Sequence, residues 1–110
     1  MLEDIAIVTY TTSKYSDVWP MHFGQLSIHA SQLKSYAFSN QESKDIWVYP
    51  QHQLVTYLDS EPYWKQYLGC LDSVKENFVI YSQEDFILFS QVNLDAISKY
   101  RKFLQNSDYD

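Results

Sequence analysis

Between two apolar runs, Phe78-Val79-Ile80-Tyr81 and Phe86-Ile87-Leu88-Phe89, sit four polar residues, Ser82-Gln83-Glu84-Asp85. Adjacent carboxylates at the end of an apolar strand can hold Mg²⁺ or Mn²⁺, cations that take oxygen ligands and share them with substrate phosphates. A solvated acidic turn has the same composition, and spacing alone leaves both readings open. The second group is Thr9-Tyr10-Thr11-Thr12-Ser13, where hydroxyls and backbone N–H groups following a strand could meet a nucleotide base or phosphate. Its plain alternative is β-propensity and strand-end capping. His22, His29 and His52 form no H-x-x-x-H pair, so they are expected as surface or internally satisfied side chains. Cys70 has no second cysteine to pair with and is expected as a small buried thiol.

Other chemistries are excluded by what is missing. With two glycines, neither G-x-G-x-x-G nor a phosphate loop ending in Lys-Ser/Thr can be written, which removes dinucleotide oxidoreductases and P-loop NTPases. No G-x-S-x-G elbow exists for a hydrolase of that type. Eight Lys and Arg stand against 14 Asp and Glu, giving a net charge of −6, so no electrostatic footprint for nucleic acid is present. No apolar run is long enough for a membrane span, and the start of the chain has no basic segment of a signal peptide, so a cytoplasmic protein is expected.

These groups need elements to carry them. Residues 5–12 form a β-branched, nearly continuous apolar run suited to a strand buried on both faces. Pro20 fits a helix start, and Phe23, Leu26, Ala30 and Leu33 continue at helical spacing, predicting a helix over 20–33. Strands follow at 34–39 and 53–58, with 46–49 as a strand or a packed extended segment. Asp59-Ser60-Glu61-Pro62 reads as a helix start with a hydroxyl cap, predicting a helix over 61–75. Its face is Tyr63, Tyr67, Leu71 and Val74 with Trp64 and Leu68 beside it, and Gly69 would permit close packing on a sheet. Runs 78–81 and 86–89 are strands, and Asn93 caps a last helix to about Gln105 with Ile97, Tyr100 and Leu104 on one face. Strands alternating with helices, two of them continuous apolar runs, predict a three-layer α/β domain with a largely parallel sheet over residues 1–110.

Together these segments resemble the N-terminal half of a GT-A-type nucleotide-sugar glycosyltransferase. The run Ile5 to Thr12 looks like its first strand and donor loop. Asp17-Val18-Trp19-Pro20 looks like the entry to its first helix, and Tyr57-Leu58-Asp59-Ser60 looks like the lead into the helix before the acidic strand. Phe78 to Phe86 resembles the apolar strand ending in a DXD-type motif. The resemblance implies a Rossmann-like open sheet and a nucleotide-sugar donor. It places Thr9, Thr11 and Thr12 along the nucleotide and Asn40 on the base. Gln83 stands where a strict motif has its first Asp, leaving Asp85 to hold Mn²⁺ or Mg²⁺ with Glu84 as helper or ribose contact. The family domain is longer, its later part supplying acceptor site and general base, so the chain is expected as the truncated, donor-binding part of a larger fold. Two alternatives keep different chemistry. One is an α+β ferredoxin-like protein dimerising through its sheet, and the other is a carbohydrate- or peptide-binding module using surface aromatics.

Overall fold

The computed structural model describes residues 2–85 and 90–106. Four strands build one sheet: β1 (Ile5–Tyr10), β2 (Lys34–Asn40), β3 (Gln53–Tyr57) and β4 (Phe78–Gln83). Their order is β3-β2-β1-β4 and every pairing is parallel, with Ile7 opposite Ser35 on one side and Ile80 on the other. The helices are α1 (Trp19–His29), α2 (Tyr63–Leu71) and α3 (Leu94–Gln105). The chain is thus an α/β protein compatible with a Rossmann-like open sheet. Parallel pairing excludes the ferredoxin-like alternative for these strands, because that fold pairs its neighbours antiparallel. The predicted strand over 86–89 lies outside the described residues.

The period of two along β1 sorts its side chains into two cores. Ile5 and Ile7 point to the face covered by α1, joining Trp19, Phe23, Leu26, Ala30, Leu33 and Ala37, with Phe78, Ile80 and Ile97 packed at the margin. Ala6 and Val8 point the other way, to Tyr36, Phe38, Tyr57 and Cys70, with Tyr67, Leu71 and Val74 of the α2 region alongside. Helices therefore lie on both faces, α1 and α3 on one and α2 on the other, giving the three expected layers. Arg101 of α3 clamps this arrangement. Its guanidinium donates to both oxygens of Asp4 at 2.6–2.9 Å and lies over the Phe78 ring at 5.4 Å. That contact holds the Asp4 carboxyl below the usual carboxylate range.

Several boundaries differ from the sequence pattern, each for a local reason. Helix α1 ends at His29 rather than continuing to Leu33. Ala30 leaves helical geometry at φ −133°, ψ 33°, and Leu33 reaches the core through a turn closed by its N–H to the Ala30 carbonyl. Residues 46–49 are not a strand. They form a packed coil in which Trp47 Nε1 donates to the carbonyls of Tyr49 and His52 at 3.1 and 3.2 Å, while the Trp47 and Tyr49 rings lie against Phe23. After a short 3-10 segment, Gln41–Asp45, the β2–β3 crossover thus covers its part of the sheet with aromatic coil in place of an α-helix.

Helix α2 starts two residues later than its pattern suggests, with Pro62 at the cap position and no hydroxyl cap bond. Its buried side chains are Gln66 and Cys70, whereas Tyr63, Trp64 and Leu68 are exposed. Gly69 also faces open space, since a Cβ there would meet nothing within 4 Å, so it serves no close approach to the sheet. In α3 the Asn93 cap is as expected, accepting from Ala96 N–H at 3.0 Å, but Tyr100 is 70% exposed and Arg101 takes the inward place. Ile97 and Leu104 keep their inward places, and Arg101 sits between them because its guanidinium reaches Asp4.

His52 is a buried histidine held between two serines. Ser27 Oγ lies 2.9 Å from Nε2 and Ser35 Oγ 2.6 Å from Nδ1, with the Phe23 ring 4.9 Å away. Hydroxyls can serve either tautomer, so desolvation is what penalises the charged ring, and it lowers the His52 pKa, with nearby His22 adding to the fall. The unfolded chain then binds a proton that the folded chain refuses. Stability is full above the unfolded value of about 6.5 and is lost as pH falls from there toward the folded value. Melting midpoints taken between pH 7.5 and 5 should decline through this window, and His52→Gln should flatten the decline. An unchanged slope in that variant would assign the loss to other groups.

Candidate functional site

β2 and β3 are added on one side of β1 and β4 on the other, so the strand order reverses between β1 and β4. Open parallel sheets bind ligands at this position, beyond the carboxyl ends of the strands. A cleft of about 480 Å³ opens there, lined by Tyr10, Thr11, Thr12, Tyr15, Gln83, Glu84 and Asp85 among others. Its floor comes from the end of β1, one wall from the short 3-10 segment Ser13–Val18, and the opposite wall from the turn after β4. The fold therefore brings the hydroxyl run and the acidic pair together although 70-odd residues separate them in sequence.

Thr11 is the fixed point of the cleft. It is buried, its N–H donates to the Phe38 carbonyl at 2.8 Å, and its own carbonyl accepts from Tyr57 Oη at 2.6 Å. Its hydroxyl accepts from Trp19 Nε1 at 3.0 Å and donates to Glu84 Oε1 at 2.6 Å. Thr12 and Asp85 also line the cleft, and Asp85 is exposed.

Thr9 and Asn40 take other places. Thr9 follows Ile5 and Ile7 onto the α1 face, is fully buried, and its Oγ1 lies 3.0 Å from His22 Nε2. Asn40 is buried at the end of β2 with its amide committed on every side. Oδ1 accepts from Ser13 N–H at 2.8 Å and from Ser43 Oγ at 3.0 Å. Nδ2 donates to Ser13 Oγ at 2.9 Å and Asp59 Oδ2 at 3.1 Å. It ties the segments after β1, β2 and β3 together and has no donor left for a base.

On the α2 side the cleft borders a cluster of phenols. Tyr10 stacks on Tyr57 at 5.4 Å and meets Tyr63 edge-on at 4.9 Å, and its hydroxyl donates to Gln66 Oε1. Burial raises the Tyr10 and Tyr57 phenols above their ordinary value, while Tyr63 is pushed up to about 12, chiefly by its hydrogen bond to Tyr81. These tyrosines keep their protons across the physiological range; Tyr10 forms part of the cleft wall, with Tyr57 and Tyr63 packed behind it. The sequence patterns did not single out Tyr15 or Trp19 for the site, and took Tyr10 only as part of the hydroxyl run. The alternation along β1 carried the signal for Tyr10, since it sets Thr9 and Tyr10 on opposite faces.

Among the described residues no group of three His, Cys, Asp or Glu side chains converges on one point. Glu84 and Asp85 thus offer no all-protein cage, and one Glu84 oxygen already accepts from Thr11. Two carboxylates do suit a hard cation that completes its shell with water and ligand phosphate. No family model matches the chain, and neither a curated protein nor a solved structure matches it. Among the described residues no helix is long and apolar enough to cross a membrane.

Proposed function

We propose that the chain is a donor-binding unit of the GT-A glycosyltransferase type, taking a nucleoside diphosphate sugar in the cleft between β1 and β4. The supporting observation is the meeting of Glu84 and Asp85 with Thr11 and Thr12 at the reversal of strand order. The wall tyrosines, Tyr10 and Tyr15, offer ring faces for a base or sugar. No Lys or Arg is among the lining residues, so a diphosphate would need its charge balanced from elsewhere. Asp85 with Glu84 would hold the Mn²⁺ or Mg²⁺ that neutralises charge on the diphosphate as the sugar leaves. Sugar transfer itself would need an acceptor site and a base from a further segment or partner.

The test is a thermal melt with UDP or GDP, each with and without Mn²⁺. At one hundred times its Kd a ligand adds about 2.7 kcal/mol, a midpoint rise on the order of 10 °C for a domain of this size. Asp85→Ala should remove the Mn²⁺-dependent part of that rise while leaving the ligand-free midpoint within a degree or two, because Asp85 is exposed. No shift with either nucleotide would sink the reading. A second reading, a carbohydrate- or peptide-binding module, is favoured by the exposed rings of Tyr63 and Trp64 on α2. Glycan binding lost in Trp64→Ala, with no nucleotide shift, would select it.

A further inference from the structure

We propose that Trp19 is a positioning residue of the cleft, setting the aim of Glu84 through the hydroxyl of Thr11. The observation is a hydrogen-bond relay with only one possible polarity. An indole N–H can donate and cannot accept, so the 3.0 Å contact from Trp19 Nε1 occupies an acceptor site of Thr11 Oγ1. The single proton of that hydroxyl goes to Glu84 Oε1 at 2.6 Å, a length typical of a hydroxyl bonded to a carboxylate. A threonine without the indole could turn its proton elsewhere. With it, the proton is committed to Glu84.

Both ends of the relay are anchored differently, and that makes it directional. Trp19 is 1% exposed and its ring is boxed by Phe23, Trp47 and Tyr49 at 5.2–6.4 Å. Thr11 is held by its backbone to β2 and to Tyr57, as described above. Glu84 sits in the turn that follows β4, and its Oε1 accepts from the Thr11 hydroxyl. The rigid core therefore dictates where the carboxylate points, leaving Oε2 as the oxygen the relay does not use. Thr11 then serves the cleft by orienting an acid rather than by lending its hydroxyl to the ligand. The consequence for affinity rests on the nucleotide-binding reading; the relay itself does not.

The test uses the full chain with Thr11→Val, which keeps shape and drops the hydroxyl, and Thr11→Ser, which restores it. The first readout needs no ligand: the ¹H–¹⁵N resonance of the Trp19 indole and its exchange with water. Glu84→Ala should move that resonance through the Thr11 hydroxyl, and Thr11→Val should move it and speed exchange. The second readout is titration with UDP and Mn²⁺ well below the melting midpoint. Thr11→Val should weaken binding roughly tenfold, the worth of one oriented hydrogen bond, and Thr11→Ser should recover it. An indole resonance indifferent to Glu84→Ala overturns the proposal, as does unchanged affinity in Thr11→Val. If the wild-type chain binds no nucleotide, the donor-site reading fails, and the indole response alone decides the relay.

Discussion

Phe23→Ala should cost about 3–5 kcal/mol, the range for deleting a buried phenyl ring. Phe23 has no exposed surface and stands at the centre of the larger core. Trp19, His22, Trp47, Tyr49 and His52 all place rings within 4.9–6.4 Å of it. These neighbours come from α1 and from the coil between β2 and β3, so the cavity would loosen the crossover that replaces a helix there. A domain of this size has roughly 5–15 kcal/mol in total, which makes this a large share. Urea unfolding of the variant should show the midpoint falling with little change in slope, and a melt should drop by about 15 °C or more. Ile28→Ala on the same helix, at a residue 63% exposed, should change stability by less than about 0.5 kcal/mol. A small effect at Phe23 would mean that the coil does not pack as described.

Asn40→Leu should be the second large loss, about 2–4 kcal/mol, for the opposite reason: it removes polar partners instead of apolar ones. The part-buried Ser13 N–H and hydroxyl lose the amide that satisfies them and Ser43 is left with Ser39 alone, where each orphaned buried group costs about 1–3 kcal/mol. Asn40→Asp separates charge from shape. It sets a carboxylate against Asp59 where a 3.1 Å hydrogen bond stood, so it should also destabilise. Adding Asp59→Asn returns a donor facing an acceptor, and the pair should recover most of the loss in a double-mutant cycle. Additive losses would show that Asn40 and Asp59 do not communicate.

The layers and helix order were legible because continuous apolar runs and Pro20, Pro62 and Asn93 mark buried strands and helix starts. The meeting of Glu84 and Asp85 with the Thr run was also legible, since parallel strands put their carboxyl ends at one edge. What stayed hidden depended on tertiary contacts. Residues 46–49 carry strand-like apolar content, but Trp47 and Tyr49 spend it on the Phe23 ring. Trp64 and Tyr63 have the composition of core and lie outside because Gln66 and, a further turn on, Cys70 take the inward positions. Thr9 and Thr11 look alike in sequence. Both meet α1, Thr9 at His22 and Thr11 at Trp19, but Thr11, one residue past the end of β1, also reaches Glu84 after β4.

The pairing of residues 5–10 with 78–83 also has a consequence in time. During synthesis β1 leaves the ribosome before either of its partners, and β2 is the first of them to reach it. Its other edge waits for β4. At about 5–20 residues per second, that edge stands open for roughly 4–15 s. Throughout that interval a nascent chain offers a flat, apolar strand side on which a holding chaperone or a neighbouring nascent chain can act. The cleft, whose two sides are those same strand ends, therefore forms only once β4 and the turn after it have been made.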